Sequence, residues 1–210
     1  ALQSGGQRHV AALRLALRAR RGLGDWVGLL RVVRLLQKHK ALTPEQAAPV
    51  RRQAHLGALQ GMDAADLDAY WRNLPSAERE DAQVVRAMCG ALIAAGQTAQ
   101  ARKLIEAQLE RGWDPALIAL YAQGDGSDAL GRIGRAENWL RAHPDDAGLL
   151  LALGRLCHAQ QLWGKAQSYL EAALAVQPSR VVHVELALLH EHLERREEAQ
   201  AHFRAAALMA

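Results

Sequence analysis

Between Pro144 and Ser179 the chain reads PDDAGLLLALGRLCHAQQLWGKAQSYLEAALAVQPS. Two runs rich in alanine and leucine meet near Gln160–Gly164, and a proline-bearing polar turn closes each end. Helix formers fill both runs and β-branched residues are scarce, so the spacing predicts two helices joined by a short turn. At an offset of 33 residues, Gly154 aligns with Ala187, Ala166 with Ala199, Leu170 with Phe203 and Ala173 with Ala206. Small residues stay small and large apolar ones stay large. The stretch is one unit of a repeat.

The order Leu150-x2-Leu153-Gly154-x2-Cys157, then Ala166-x3-Leu170, then Pro178, resembles the tetratricopeptide pattern W-x2-L-G-x2-Y…A-x3-F…P. Leu150 and Cys157 stand where that pattern has aromatics. Gly154 and Ala166 are small because two helix backbones approach there, and Leu153, Leu170 and Phe203 fill the space between helices. Pro178 supplies no N–H and disfavours helix in the residue before it, so it ends the second helix. One hairpin cannot bury its apolar face alone, so neighbours stack. The expected fold is therefore all-α, a tetratricopeptide-like right-handed superhelix of antiparallel helix pairs forming one solenoid over residues 1–210. The pattern is sharpest over 147–178 and 181–207. It extends to 82–112, where Cys89 and Ala101 are twelve residues apart as Gly154 and Ala166 are, and to 10–40, where Gly24-Asp25-Trp26 reads as an inter-helix turn. It breaks over 41–75, where Thr43-Pro44-Glu45-Gln46 reads as a capped helix start. It breaks again over 116–144, where Gly124-Asp125-Gly126-Ser127-Asp128 reads as a loop. Irregular helices are expected in both places.

Half the residues are apolar but only 4% are aromatic, which fits helices better than strands. The two cysteines, Cys89 and Cys157, sit far apart in apolar helical runs, with no metal-ligand spacing, and are expected to be buried thiols. No apolar run approaches the ~20 residues of a membrane helix. The chain begins ALQSGG, without a Met, and is expected to be a piece of a longer protein. Its formal charge of +4 hides an asymmetry: residues 1–52 hold eleven Lys/Arg against two acids, a net of +9. Residues 53–210 hold fifteen against twenty, a net of −5. Such a division concerns partners rather than fold: a solvated arginine face, or a basic end facing an anionic membrane surface or an acidic partner.

Signatures of catalysis are missing. GLGDWVG (22–28) lacks the spacing of a dinucleotide loop and any preceding strand. There is no Walker loop and no serine in a nucleophile elbow. In HEHLE (190–194), His190 and His192 are two residues apart and point to different helix faces, and Glu194 occupies the place where a zinc-protease motif needs histidine. No catalytic residue, metal ligand or cofactor is expected.

A binding face is expected instead, since the first helix of each pair lines the concave side of such an array. Arg14, Arg18 and Arg21 share one helical stripe. Later units would add Arg86, then Arg155 and His158, then Glu191 and His192. Arginine forks suit carboxylates and phosphates, so the expected occupant is an acidic peptide or protein segment.

The order of LGDW (23–26), YWRNLP (70–75), RGWDPALIALY (111–121) and HPDDAGLLLALGRLCHAQQLWGKAQSYLEAAL (143–174) resembles the HemY family, bacterial inner-membrane proteins associated with haem biosynthesis. The resemblance runs over essentially the whole chain and is most specific over 139–176. It implies an N-terminal membrane anchor of two helices ahead of this region, a cytoplasmic side for the region itself, and tetrapyrrole-pathway enzymes as partners. It brings no catalytic or binding residue with it. The function expected is a non-enzymatic protein–protein interaction scaffold at the bacterial inner membrane. A haem or porphyrin carrier using His158 or Cys157 is the alternative. A nucleic-acid binder using the basic first third lacks interleaved aromatics and any recognised motif.

Overall fold

The computed structural model describes residues 2–123 and 128–209, with side chains from residue 9 onward. Among these residues there are thirteen helices and no strand. The chain divides into two compact units, Ala1–Gln97 and Thr98–Ala210. The first holds α1 (Leu2–Leu23), α2 (Trp26–Lys38), α3 (Pro44–Leu59), α4 (Ala64–Asn73), α5 (Ser76–Arg79) and α6 (Ala82–Ala94). The second holds α7 (Thr98–Leu109), α8 (Pro115–Tyr121), α9 (Ala129–Ala142), α10 (Ala147–Ala159), α11 (Trp163–Val176), α12 (Arg180–His192) and α13 (Arg196–Leu208). No helix among the described residues is long and apolar enough to cross a membrane. The fold is all-α and tetratricopeptide-like, built from antiparallel helix pairs. Of the polar loop read from the sequence, residues 124–127 lie outside the described residues.

The second unit shows the repeat in its backbone as well as its sequence. α10 pairs with α11, and α12 with α13. Each pair turns through a left-handed residue, Gln161 (φ 57°) and Glu194 (φ 59°), and these are 33 positions apart. In the first turn the Leu162 N–H donates to the Cys157 carbonyl, and in the second the Arg195 N–H donates to the His190 carbonyl, both at 2.9 Å. This closure satisfies carbonyls that the helix end would otherwise orphan. Asp146 and Ser179 accept backbone N–H bonds from Leu149 and Val182, starting α10 and α12. α11 ends at Val176, just short of Pro178.

Between the paired helices the small residues permit close approach. A Cβ on Gly154 would stand 2.5 Å from Leu170 Cδ2. Ala166, Leu170 and Ala187 are fully buried, and Leu149, Leu153, Leu156, Leu186 and Leu189 complete the seam. The irregular stretch before α10 is held by polar side chains. Arg132 is buried on α9 and donates to the carbonyls of Tyr121 at 3.2 Å and Gln123 at 2.9 Å, covering the end of α8. Trp113 donates to Asp146 at 2.7 Å and meets Trp139 edge to face.

In the first unit, Leu13 of α1 packs on Val32 and Leu36 of α2, with Val10, Ala16 and Leu17 around them. Gly24 takes φ +68° in the turn between them. Asp25 then caps α2; it accepts from the Gly28 N–H and pairs with Arg20. The Gly28 N–H is the main reason its carboxyl sits below the usual range, with Arg20 adding to it. Thr43 and Gln46 form a reciprocal capping box at the start of α3. The arginines of that polar helix are tied within the unit: Arg51 to Glu78 at 2.8 Å and Arg52 to Asp81 at 2.6 Å. Asp81 also caps α6.

Candidate functional site

The residues that the sequence singled out fall in three places. Arg14, Arg18 and Arg21 are exposed on α1, and none makes an ion pair among the described residues. Arg86 is half-buried on α6. Arg155 and His158 on α10 meet His192 on α12 in a recess of about 380 Å³ within the second unit. Glu191 is not part of it. One residue along a helix turns the side chain by about 100°, which is enough to send Glu191 to a neighbouring recess lined by α12 and α13.

Helix order in the second unit builds the first recess. α10 contributes Arg155 and His158, the left-handed turn contributes Gln161, α11 opens with Trp163, and α12 supplies Glu185 and His192. Three rings form its wall. The His158 and Trp163 centroids are 5.4 Å apart, His158 and His192 are 5.1 Å apart and perpendicular, and Trp163 and His192 are 5.5 Å apart. Arg155 Nε donates to Glu185 Oε1 at 2.7 Å, linking one hairpin to the next. Neither Trp163 nor Glu185 stood out in the sequence as a binding residue. Trp163 falls in the stretch where the two sequence runs meet, and Glu185 has no signal until α12 is placed against α10.

The electrostatics differ from the expected anion site. The positive charge of Arg155 is met by Glu185 within the chain. Burial lowers the His158 pKa below the ordinary histidine value, and His192 pushes it the same way, while Glu185 opposes them. His192 Nδ1 lies 3.3 Å from the Leu188 carbonyl, which can only accept, so the proton sits on Nδ1. The recess thus presents three flat rings, with burial disfavouring the charged form of His158, beside a neutralised ion pair. The remaining guanidinium N–H groups can donate to peptide carbonyls. Such a surface suits an apolar or aromatic side chain carried on a peptide backbone.

Cys157 points away from this chemistry. It is fully buried, and burial pushes its thiol up to about 11, so it presents no thiolate to a ligand in the recess. Among the described residues no group of three or more His, Cys, Asp or Glu side chains is placed to hold a metal ion.

No protein-family model matches the chain. No curated protein matches it either. Several solved structures of MamA are similar in architecture. MamA of AMB-1 is 20% identical, with 74% of this chain and 95% of that one covered, at a TM-score of 0.48. MamA of MSR-1 is 17% identical over 74% and 92%, at 0.47. A mutant MamA is 14% identical over 97% and 99%, at 0.43. The tetratricopeptide-like assignment stands on the paired helices themselves.

A second histidine group lies beside the recess, on the last hairpin. His183 Nδ1 and His202 Nδ1 are 2.9 Å apart, so one ring donates and the other accepts. His190, 5% exposed, stacks nearly parallel on His202 with centroids 5.5 Å apart, and its Nδ1 has no hydrogen-bond partner among the described residues. Burial, then His183 and His190, hold the His202 pKa below the ordinary 6.5, against an opposing pull from Glu171. The folded hairpin therefore binds a proton less readily than the unfolded chain. Its contribution to stability is complete above the ordinary value and is lost as pH falls through it towards the lower folded value. His55 and His158, also lowered mainly by burial, have the same sign. The melting temperature is expected to fall between about pH 7 and about pH 5, and His202→Gln is expected to flatten that fall. Thermal unfolding followed by circular dichroism across this range measures it, and identical curves for the two proteins would contradict it.

Proposed function

We propose that the chain is a non-enzymatic protein–protein interaction scaffold whose second unit holds a partner's side chain in the recess between α10, α11 and α12. One observation carries this: the three rings of His158, Trp163 and His192 gathered beside the Arg155–Glu185 pair. Partly exposed aromatics clustered beside an arginine are the usual composition of an interface hot spot. The finer reading rests on the resemblance of residues 139–176 to the HemY family. It places the protein at the bacterial inner membrane on the cytoplasmic side, held by an anchor ahead of this region. There it would organise enzymes of tetrapyrrole synthesis.

The test is affinity capture from the host lysate with the intact chain and with Trp163→Ala, read by quantitative mass spectrometry. Removing a hot-spot tryptophan costs at least about 2 kcal/mol, roughly 30-fold in affinity. The expected result is enrichment of haem-pathway enzymes that collapses in the variant. Enrichment of those enzymes that is equal with both proteins would remove the recess from the account. Capture of a different set of proteins, lost in the variant, would keep the recess and discard the haem assignment.

A further inference from the structure

The recess beside Glu191 repeats part of the candidate site, since Glu191, Glu194 and Arg196 stand where His158, Gln161 and Trp163 do. Advancing His158, Gln161, Trp163, Ala166, Gln167 and Leu170 by 33 positions gives Glu191, Glu194, Arg196, Ala199, Gln200 and Phe203. These six residues line a recess of about 660 Å³ between α12 and α13. One repeat earlier, α12 lies over the corresponding surface. It contributes Glu185 and His192 to the first recess, it packs on α11, and Leu170 is fully buried there. On the last hairpin among the described residues, the matching Phe203 is only half-buried and Leu188 is 38% exposed. Within the second unit no described helix covers this surface, the α12–α13 seat.

α1 is a helix with an unused face. Leu13 and Leu17 turn inward to α2, while Ala11, Ala12, Leu15, Ala19 and Leu23 are exposed; Leu15 is 66% and Leu23 82% exposed. Small residues around one leucine make a surface that another helix can approach closely. Arg14, Arg18 and Arg21 flank it, α1 contains no acidic residue, and no ion pair occupies these arginines among the described residues. The seat carries the opposite charge. Glu191 and Glu194 are exposed and make no ion pair among the described residues; Arg196 lines the recess with them, Arg195 adjoins Glu194, and Glu197 and Glu198 follow in the first turn of α13, so acids outnumber arginines four to two over 191–198.

We infer that α1 of one copy docks in the α12–α13 seat of a second copy, a head-to-tail contact that buries Leu15 against Phe203 and sets Arg14, Arg18 and Arg21 against Glu191 and Glu194. The contact joins two different surfaces, so a bound copy still carries a free seat or a free α1 face, and association can continue beyond the dimer. It does not involve the Trp163 recess and stands apart from the proposed function.

Sedimentation velocity of the intact chain across a concentration series tests it. The expected result is a mass that rises above the 22.9 kDa monomer with concentration and falls back on adding salt. A chain with Arg14→Glu, Arg18→Glu and Arg21→Glu, and another with Glu191→Lys and Glu194→Lys, should each remain monomeric. Like charges facing each other weaken such a contact by about 100-fold or more. All five side chains are exposed, so the fold should survive, and helical circular dichroism checks that. Mixing the two variants restores opposite charges across the junction and should restore association. A wild-type chain that stays monomeric at every concentration would overturn the inference. So would variants that associate as wild type does, or a mixture that stays monomeric.

Discussion

Gly154→Val is expected to destabilise the second unit by about 3 kcal/mol, at the top of the range for overpacking a tight core. A Cβ there would lie 2.5 Å from Leu170 Cδ2 and 2.6 Å from its Cγ, and Leu170 has no solvent-exposed side to retreat to. Two opposed effects decide the milder change. Gly→Ala in a helix gains up to about 1 kcal/mol in propensity, whereas overpacking costs about 1–3 kcal/mol, so Gly154→Ala should still be net destabilising. Gly134 on α9 is the internal control. A Cβ there meets nothing within 4 Å, and Gly134→Ala should stabilise by about 0.5–1 kcal/mol. Chemical denaturation of the three variants compares them directly. Equal stability of Gly154→Val and wild type would mean that α10 and α11 do not approach as described.

Leu170→Ala should cost about 2–5 kcal/mol, because a fully buried leucine leaves both lost transfer energy and a cavity. Its repeat partner should behave differently. Phe203→Ala is expected to fall below the roughly 3–5 kcal/mol of a buried phenylalanine, since Phe203 keeps part of its ring in solvent. The pair measures what a covering helix contributes, because residue register and hairpin are otherwise the same. Denaturation midpoints at low protein concentration, where copies are separate, give the comparison. A Phe203→Ala cost at the upper end of the roughly 3–5 kcal/mol of a fully buried phenylalanine would show that Phe203 is already covered.

The repeat was legible because it is written in residue size. Gly154 and Ala187, or Ala166 and Ala199, face constraints that any reader of volumes can align. The positions so found are buried, with Phe203 the half-buried exception. Charged positions carried less information. Arg155 looked like an anion fork, yet Glu185, thirty residues on, neutralises it. Nothing in the chain marks that pairing until α12 is laid against α10. Glu191 and His192, adjacent in sequence and read together, separate into two recesses because a helix turns neighbours apart. The middle of the chain hid its logic for a further reason. Buried Arg132 reaches two carbonyls at the end of α8, and Trp113 reaches Asp146 from a distant turn. Long side chains find such partners through tertiary placement, which no period records.

If the His158–Trp163–His192 recess meets another protein as proposed, a cross-linker on its rim should capture that partner. The most direct measurement places a photoreactive benzoylphenylalanine at Gln161, which is exposed on the rim of that recess, and irradiates the protein in host lysate. A discrete adduct with a partner protein is expected, reduced about tenfold or more when Trp163→Ala is added. An adduct of equal yield with and without Trp163, or no protein adduct at all, would contradict it.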